Sequence, residues 1–164
     1  MHVKDLMTAE VITLDPDDDL ALAERLMSES RIRHLPVVDE HFKLVGLVSQ
    51  RDVLRASLSS LHVANGADQR MKANVELQQI MRTDIDTCSP DDALKDVVDR
   101  MRAKKYGCLP VVNEEGRLVG IITDTDFMRF TSAVLAVFDG QDVYDRITGA
   151  ITANHEGGAS AGEA

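Results

Sequence analysis

The stretch HLPVVDEHFKLVGLVSQRD, residues 34–52, returns as CLPVVNEEGRLVGIITDTD, residues 108–126. The spacing of 74 residues holds without a gap on both sides, laying residues 3–56 over residues 77–130. Met7 falls on Met81, Thr13 on Thr87, Pro16-Asp17-Asp18 on Pro90-Asp91-Asp92, and Arg55 on Arg129. A unit of this size alone buries only a modest fraction of its surface, so the two copies should pack into one body with pseudo-twofold symmetry. Such a body creates two related clefts at the junction, where ligand sites tend to form.

Inside the stretch, Leu35–Val38 and Leu44–Val48 are β-branched runs joined by a polar loop of hairpin length, as are Leu109–Val112 and Leu118–Ile122. A helix should follow from Ser49 or Thr123. Upstream, Val11–Leu14 and Ile85–Cys88 read as short strands. Asp15-Pro16-Asp17-Asp18 and Ser89-Pro90-Asp91-Asp92 then read as helix starts, with an N-cap Asp or Ser, Pro in the first turn and carboxylates favoured by the helix dipole. On this reading the acidic runs are caps, not metal sites. Leu20, Ala23 and Met27, matched by Leu94, Val97, Val98 and Met101, recur at helical spacing and supply a buried face. The fold class is α/β in the α+β sense, each unit running strand, helix, strand, strand, helix.

The expected organisation is a first unit over residues 1–60, a linker over 61–76, and a second unit with a C-terminal helix over 77–138. A short extension over 139–153 and a disordered, Gly- and Ala-rich tail over 154–164 follow. Phe127, Phe130, Val134, Val137 and Phe138 give the last helix an apolar face that reads as an oligomer surface or as intramolecular cover.

The chain has 28 Asp and Glu against 18 Lys and Arg, a formal charge of −10. That field repels phosphate backbones and anionic lipids, so neither nucleic-acid duplexes nor membranes are expected partners. No run of about 18 apolar residues occurs, and Met1–Glu10 lacks the pattern of a leader, which points to a cytoplasmic protein. Cys88 and Cys108 are too few for a zinc motif or disulfide framework and read as small core residues. The histidines lack metal-ligand spacing, and no nucleophile has an evident base partner, so no catalytic residue or metal ligand is assigned and the chain does not read as an enzyme.

Chemistry concentrates at Gly46–Asp52 and Gly120–Asp126, where strand runs directly into helix. Ser49 and Asp52, like Thr123 and Asp126, stand three residues apart. Taken alone, each pair reads as a capping box. The same residues also describe a nucleotide-shaped pocket: the Gly allows close backbone approach, the hydroxyl stands beside helix N–H groups that can hold phosphate, and the Asp can accept from a ribose diol. Recurrence of the pair behind the same strand in both copies adds weight to the pocket.

Together, the opening Met7 and Met81, the Pro-Asp-Asp turns, the Leu-Pro-Val-Val strands and the Gly-x-x-Ser/Thr-x-x-Asp ends resemble the CBS-domain family. The resemblance is to tandem pairs called Bateman modules, of the stand-alone bacterial type associated with acetoin utilisation. It covers Val3 to Phe130. It implies clefts that bind AMP, ADP, ATP, NAD or S-adenosylmethionine as regulatory ligands, with no cofactor required. Carried over, Asp52 and Asp126 would hold ribose, while Ser49 and Thr123 would stand near phosphate. Thr13, Thr87, His34 and Cys108, with Pro36 and Pro110, would line the adenine pockets. Arg51 adds a cation to the first site, where Asp124 and Thr125 give the second an extra carboxylate and a neutral group, so phosphate should prefer the first. Arg31, Arg33 and Lys43 could add positive field there, with Lys104 and Lys105 compensating in the second. The resemblance also implies a homodimer, with any output acting through a separate, unidentified protein. The other reading is a structural dimerisation module whose clefts stay empty.

Overall fold

A computed structural model describes residues 1–61 and 75–137. Residues 1–126 form one compact unit and residues from Phe127 a second. In the first unit, α1 (Leu20–Ser30) is followed by β1 (His34–Val38), β2 (Leu44–Ser49) and α2 (Gln50–Leu61). The second copy repeats this as α3 (Leu94–Lys104), β3 (Cys108–Val112), β4 (Leu118–Thr123) and α4 (Asp124–Val137). The hairpins and the helices that follow them thus form where the sequence places them. Within the described residues no helix is long and apolar enough to cross a membrane.

Each hairpin is antiparallel, pairing Pro36 with Leu47 and Pro110 with Ile121. The upstream strands expected at Val11–Leu14 and Ile85–Cys88 contract to single parallel bridges, Leu14 to Val37 and Cys88 to Val111. Proline explains the contraction. Leu14 N–H donates to the Pro36 carbonyl and Val38 N–H to the Leu14 carbonyl, but the next rung would need an N–H on Pro36. Pro110 truncates the second ladder in the same way, with Cys88 donating to its carbonyl and accepting from Val112.

The acidic turns also differ from expectation. The helices begin at Leu20 and Leu94, four residues after the prolines, and the side chain that caps α1 is Asp19, accepting from Leu22 N–H at 2.7 Å. Asp18 and Asp92 instead close their own turns by accepting from the N–H groups of Asp15 and Ser89. These turns stay out of the helix because their carbonyls pair elsewhere. Pro16 and Asp18 accept from Gln78 and Leu77, while Pro90 and Asp92 accept from Lys4 and Val3.

Those bonds reveal an exchange between copies. The segment leading into each repeat lies against the other repeat: Thr8 and Ile121 bond in both directions, as do Leu47 and Arg82. Leu77 accordingly belongs to the core built by Leu14, Leu20, Ala23, Met27, Leu35, Val37, Val48 and Val53, with Val75, Ile80 and Met81 packed against it. The hairpin tips meet as well, Leu118 N–H donating to the Phe42 carbonyl and Leu44 N–H to that of Gly116.

In the second unit, α4 continues from Phe127 with Phe127, Phe130 and Val134 half-buried and Met128, Leu135 and Val137 exposed. Phe138, the extension, the tail and most of the expected linker lie outside the described residues.

Candidate functional site

Each strand-to-helix junction carries the hydroxyl and carboxylate pair in a closed box. Asp126 Oδ2 accepts from Thr123 N–H at 2.8 Å and from the Thr123 hydroxyl at 2.7 Å. Asp52 Oδ2 accepts from Ser49 N–H at 3.0 Å and from the Ser49 hydroxyl. Both pairs therefore do serve as capping boxes, which leaves the other carboxylate oxygen facing across to the opposite leading segment. There Asp126 Oδ1 accepts from the Thr8 hydroxyl at 3.4 Å, and Asp52 Oδ1 lies 4.0 Å from Arg82 Nε. The two copies differ in access. Asp126 is 1% exposed, whereas the Asp52 side chain is 11% exposed.

The glycines at these junctions have a different role from the one read in the sequence. A Cβ on Gly120 would lie 2.6 Å from Met7 Sδ and 3.1 Å from the Thr8 carbonyl, and one on Gly46 would overlap the Met81 side chain. The close approach they permit is thus to a methionine of the other repeat.

A cleft of about 770 Å³ opens between the copies. From the first repeat it is lined by Arg33, His34 and Ser49, with Glu24, Met27 and Ser28 from α1 and Gln50, Arg51, Val53 and Leu54 from α2. The second repeat contributes Arg82, Lys105, Gly107 and Asp124. Three arginines and a lysine thus face two carboxylates, a local excess of cations in a chain of charge −10. His34 packs on Gly107, where an added Cβ would come within 3.0 Å of the imidazole. Burial first, and then the Arg33 guanidinium, hold the His34 pKa below its ordinary value, against the opposing pull of Asp124 and Asp52.

Among the sequence candidates, Ser49, Arg51, His34 and Arg33 line this cleft, and Asp52 stands behind Ser49. Asp124 and Lys105, expected at the second site, line this one instead, because the second repeat packs its helix start and the end of α3 against the first repeat. Thr123 and Asp126 occupy the matching junction of the second repeat. Thr13 and Thr87 are half-buried just ahead of the bridging residues, and the Thr87 carbonyl accepts from Arg100. Pro36 and Pro110 are interior strand residues. Cys108 is buried at the start of β3, its thiol pushed up to about 12 by burial and then by the nearby Asp124 charge. Among the described residues, Lys43 sits at the hairpin tip opposite Arg117, and Lys104 pairs with Asp86 at 2.8 Å. Arg82 went unassigned in the sequence. Its repeat partner is Thr8, and the pair gains meaning only because the leading segments cross.

A protein-family model described as CBS domain matches residues 3–59 and again 77–133. Among solved structures, the chain is similar to a Vibrio cholerae protein provisionally assigned to acetoin utilization (AcuB), with 38% identity and a TM-score of 0.76 over 85% of this chain and 98% of that one. It is also similar to the CBS domain pair of protein MJ0100, solved with 5′-methylthioadenosine and S-adenosyl-L-methionine, with 29% identity and a TM-score of 0.68 over 81% of this chain and 97% of that one. A third is CBSX2 in complex with AMP, with 25% identity and a TM-score of 0.68 over 81% of this chain and 97% of that one. Curated relatives at 30–35% identity include longer proteins, of which this chain spans 23–41%.

Proposed function

Because the chain belongs to the CBS-domain family as a tandem pair, we propose that it is a regulatory module that binds an adenosine-containing ligand between its repeats and acts by binding rather than catalysis. The observation that carries this reading is the cleft itself, where Arg33, Arg51, Arg82 and Lys105 converge beside the Ser49 junction of an otherwise acidic chain. Clustered cations in a concave site favour an anionic ligand over bulk solvent. The adenosine ligands of the MJ0100 pair and of CBSX2 support the ligand class.

In this reading Ser49 and Arg51 meet phosphate, Asp52 Oδ1 takes a ribose hydroxyl, and His34, Thr13 and Pro36 lie toward the base. Thr123, Asp126, Thr87, Cys108 and Pro110 are the counterparts in the second site, where a ligand must first displace the Thr8 hydroxyl from Asp126. The first site is therefore the stronger one. Regulation requires that the ligand favour one arrangement of the repeats or one partner-binding state over another. Exposed Met128, Leu135 and Val137 on α4 support a homodimer.

Calorimetric titration with AMP, ATP, NAD and S-adenosylmethionine tests the reading. Binding is expected to weaken about tenfold or more in a folded Asp52→Ala variant, consistent with loss of a charge-assisted contact, and less in Asp126→Ala. A folded wild-type protein that binds none of the four would overturn it in favour of a dimerisation module with empty clefts.

A further inference from the structure

The cleft holds an ion pair that the repeat does not duplicate. Arg33, just before β1, places one guanidinium nitrogen 2.9 and 3.1 Å from the two carboxylate oxygens of Asp124, the first residue of α4. The repeat-related positions are Gly107 and Gln50, which cannot form an ion pair. The main chain around them is matched nonetheless. Gln50 N–H donates to the Arg33 carbonyl at 2.8 Å, and Asp124 N–H donates to the Gly107 carbonyl at 3.1 Å. On a common backbone frame, one side has therefore gained a charge pair that crosses between the repeats, and both of its members line the cleft.

Resting on the adenosine-ligand reading above, we propose that Asp124 is a specificity-determining residue whose carboxylate occupies Arg33 in the place of a ligand phosphate. Carboxylate and phosphate compete for a guanidinium through the same charge-assisted hydrogen bonds. The pair is about half exposed on both sides, at 55% and 48%, so it is weak enough to be displaced. Displacement has a cost: a phosphate that takes Arg33 leaves the Asp124 carboxylate beside it as a like charge. An uncharged ligand leaves the pair intact and feels neither effect. Asp124 thereby sets how steeply affinity rises with ligand phosphate, separating AMP-like ligands from an uncharged thioether such as 5′-methylthioadenosine.

The test is calorimetric titration of wild type, Asp124→Asn and Arg33→Gln with AMP, 5′-methylthioadenosine and inorganic pyrophosphate, each protein being checked by its melting curve. Asp124→Asn should tighten AMP and pyrophosphate by about three- to tenfold, the range of a partly screened charge contact, and leave methylthioadenosine within about twofold. Arg33→Gln should weaken AMP and spare methylthioadenosine. The gain in Asp124→Asn should shrink as salt is raised. Equal shifts for AMP and methylthioadenosine, or no shift for either, would overturn the proposal while leaving adenosine binding intact. Tightened pyrophosphate with neither AMP nor methylthioadenosine bound would uphold the charge competition and sink the adenosine reading. No binding of any probe to wild type or variants would sink both.

Discussion

Met81 packs its side chain into the space that a Cβ on Gly46 would fill, and Met7 does the same to Gly120. The methionine that opens each repeat is thus seated on a glycine inside the second hairpin strand of the other. Gly46→Ala should destabilise the protein by about 1–3 kcal/mol, the usual cost of overpacking. Adding Met81→Ala to it should recover part of that loss, because the two positions share one space and their effects cannot be additive. Chemical denaturation of the four proteins in the cycle checks this, and strict additivity would contradict the seating.

The same exchange governs Leu77, which belongs by sequence to the second copy and by packing to the core of the first. Leu77→Ala should cost about 2–5 kcal/mol, as a large-to-small change at a fully buried site. The decisive readout is location. Native-state hydrogen exchange should accelerate first at the amides of β1 and β2, and acceleration confined to β3 and β4 would mean that Leu77 supports its own copy.

The hairpins and the helices after them follow from β-branched runs, a local signal, and the paired junctions from a constant offset between the copies. The exchange of leading segments leaves no local signal, since Val3 and Leu77 are apolar in either arrangement. The acidic turns misled for the same reason. Pro16 and Asp18 have the chemistry of a helix start, but their carbonyls are taken by Gln78 and Leu77, some 60 residues away. Ser49, Arg51 and His34 could be singled out in advance. Arg82 could not, because it needs the crossing of the leading segments to bring it into the cleft, and the Arg33–Asp124 pair could not, because it forms only where the two repeats meet.

Phe42 sits at the hairpin tip with φ of 61°, in the left-handed region, and the residue is 60% exposed. The matching residue of the second hairpin is Gly116, with φ of 78°. A left-handed side-chain-bearing residue costs about 1–2 kcal/mol, while glycine forfeits about 0.5–1 kcal/mol of unfolded-state entropy. With little packing to lose, Phe42→Gly should stabilise the protein by about 0.5–1 kcal/mol. A lower denaturation midpoint at unchanged slope would show that Phe42 makes contacts worth more than its strain.

His34 supplies a pH dependence whose sign can be fixed. Its pKa in the folded protein is lowered, chiefly by burial and next by Arg33, so the unfolded chain binds this proton at a higher pH than the folded one does. The contribution is therefore present above the ordinary imidazole range and is lost as pH falls through the lowered folded value. Other groups also titrate in an acidic chain of this kind, so the comparison must be with His34→Gln, which removes this one proton site and keeps a polar side chain. From about pH 7.5 to about pH 5.5, the melting temperature of wild type minus that of His34→Gln should fall, in step with protonation of a group whose unperturbed pKa is about 6.5. A difference that stays flat would place His34 in ordinary solvent, and one that rises on acidification would mean that Asp124 and Asp52 outweigh burial and hold the imidazolium in the cleft.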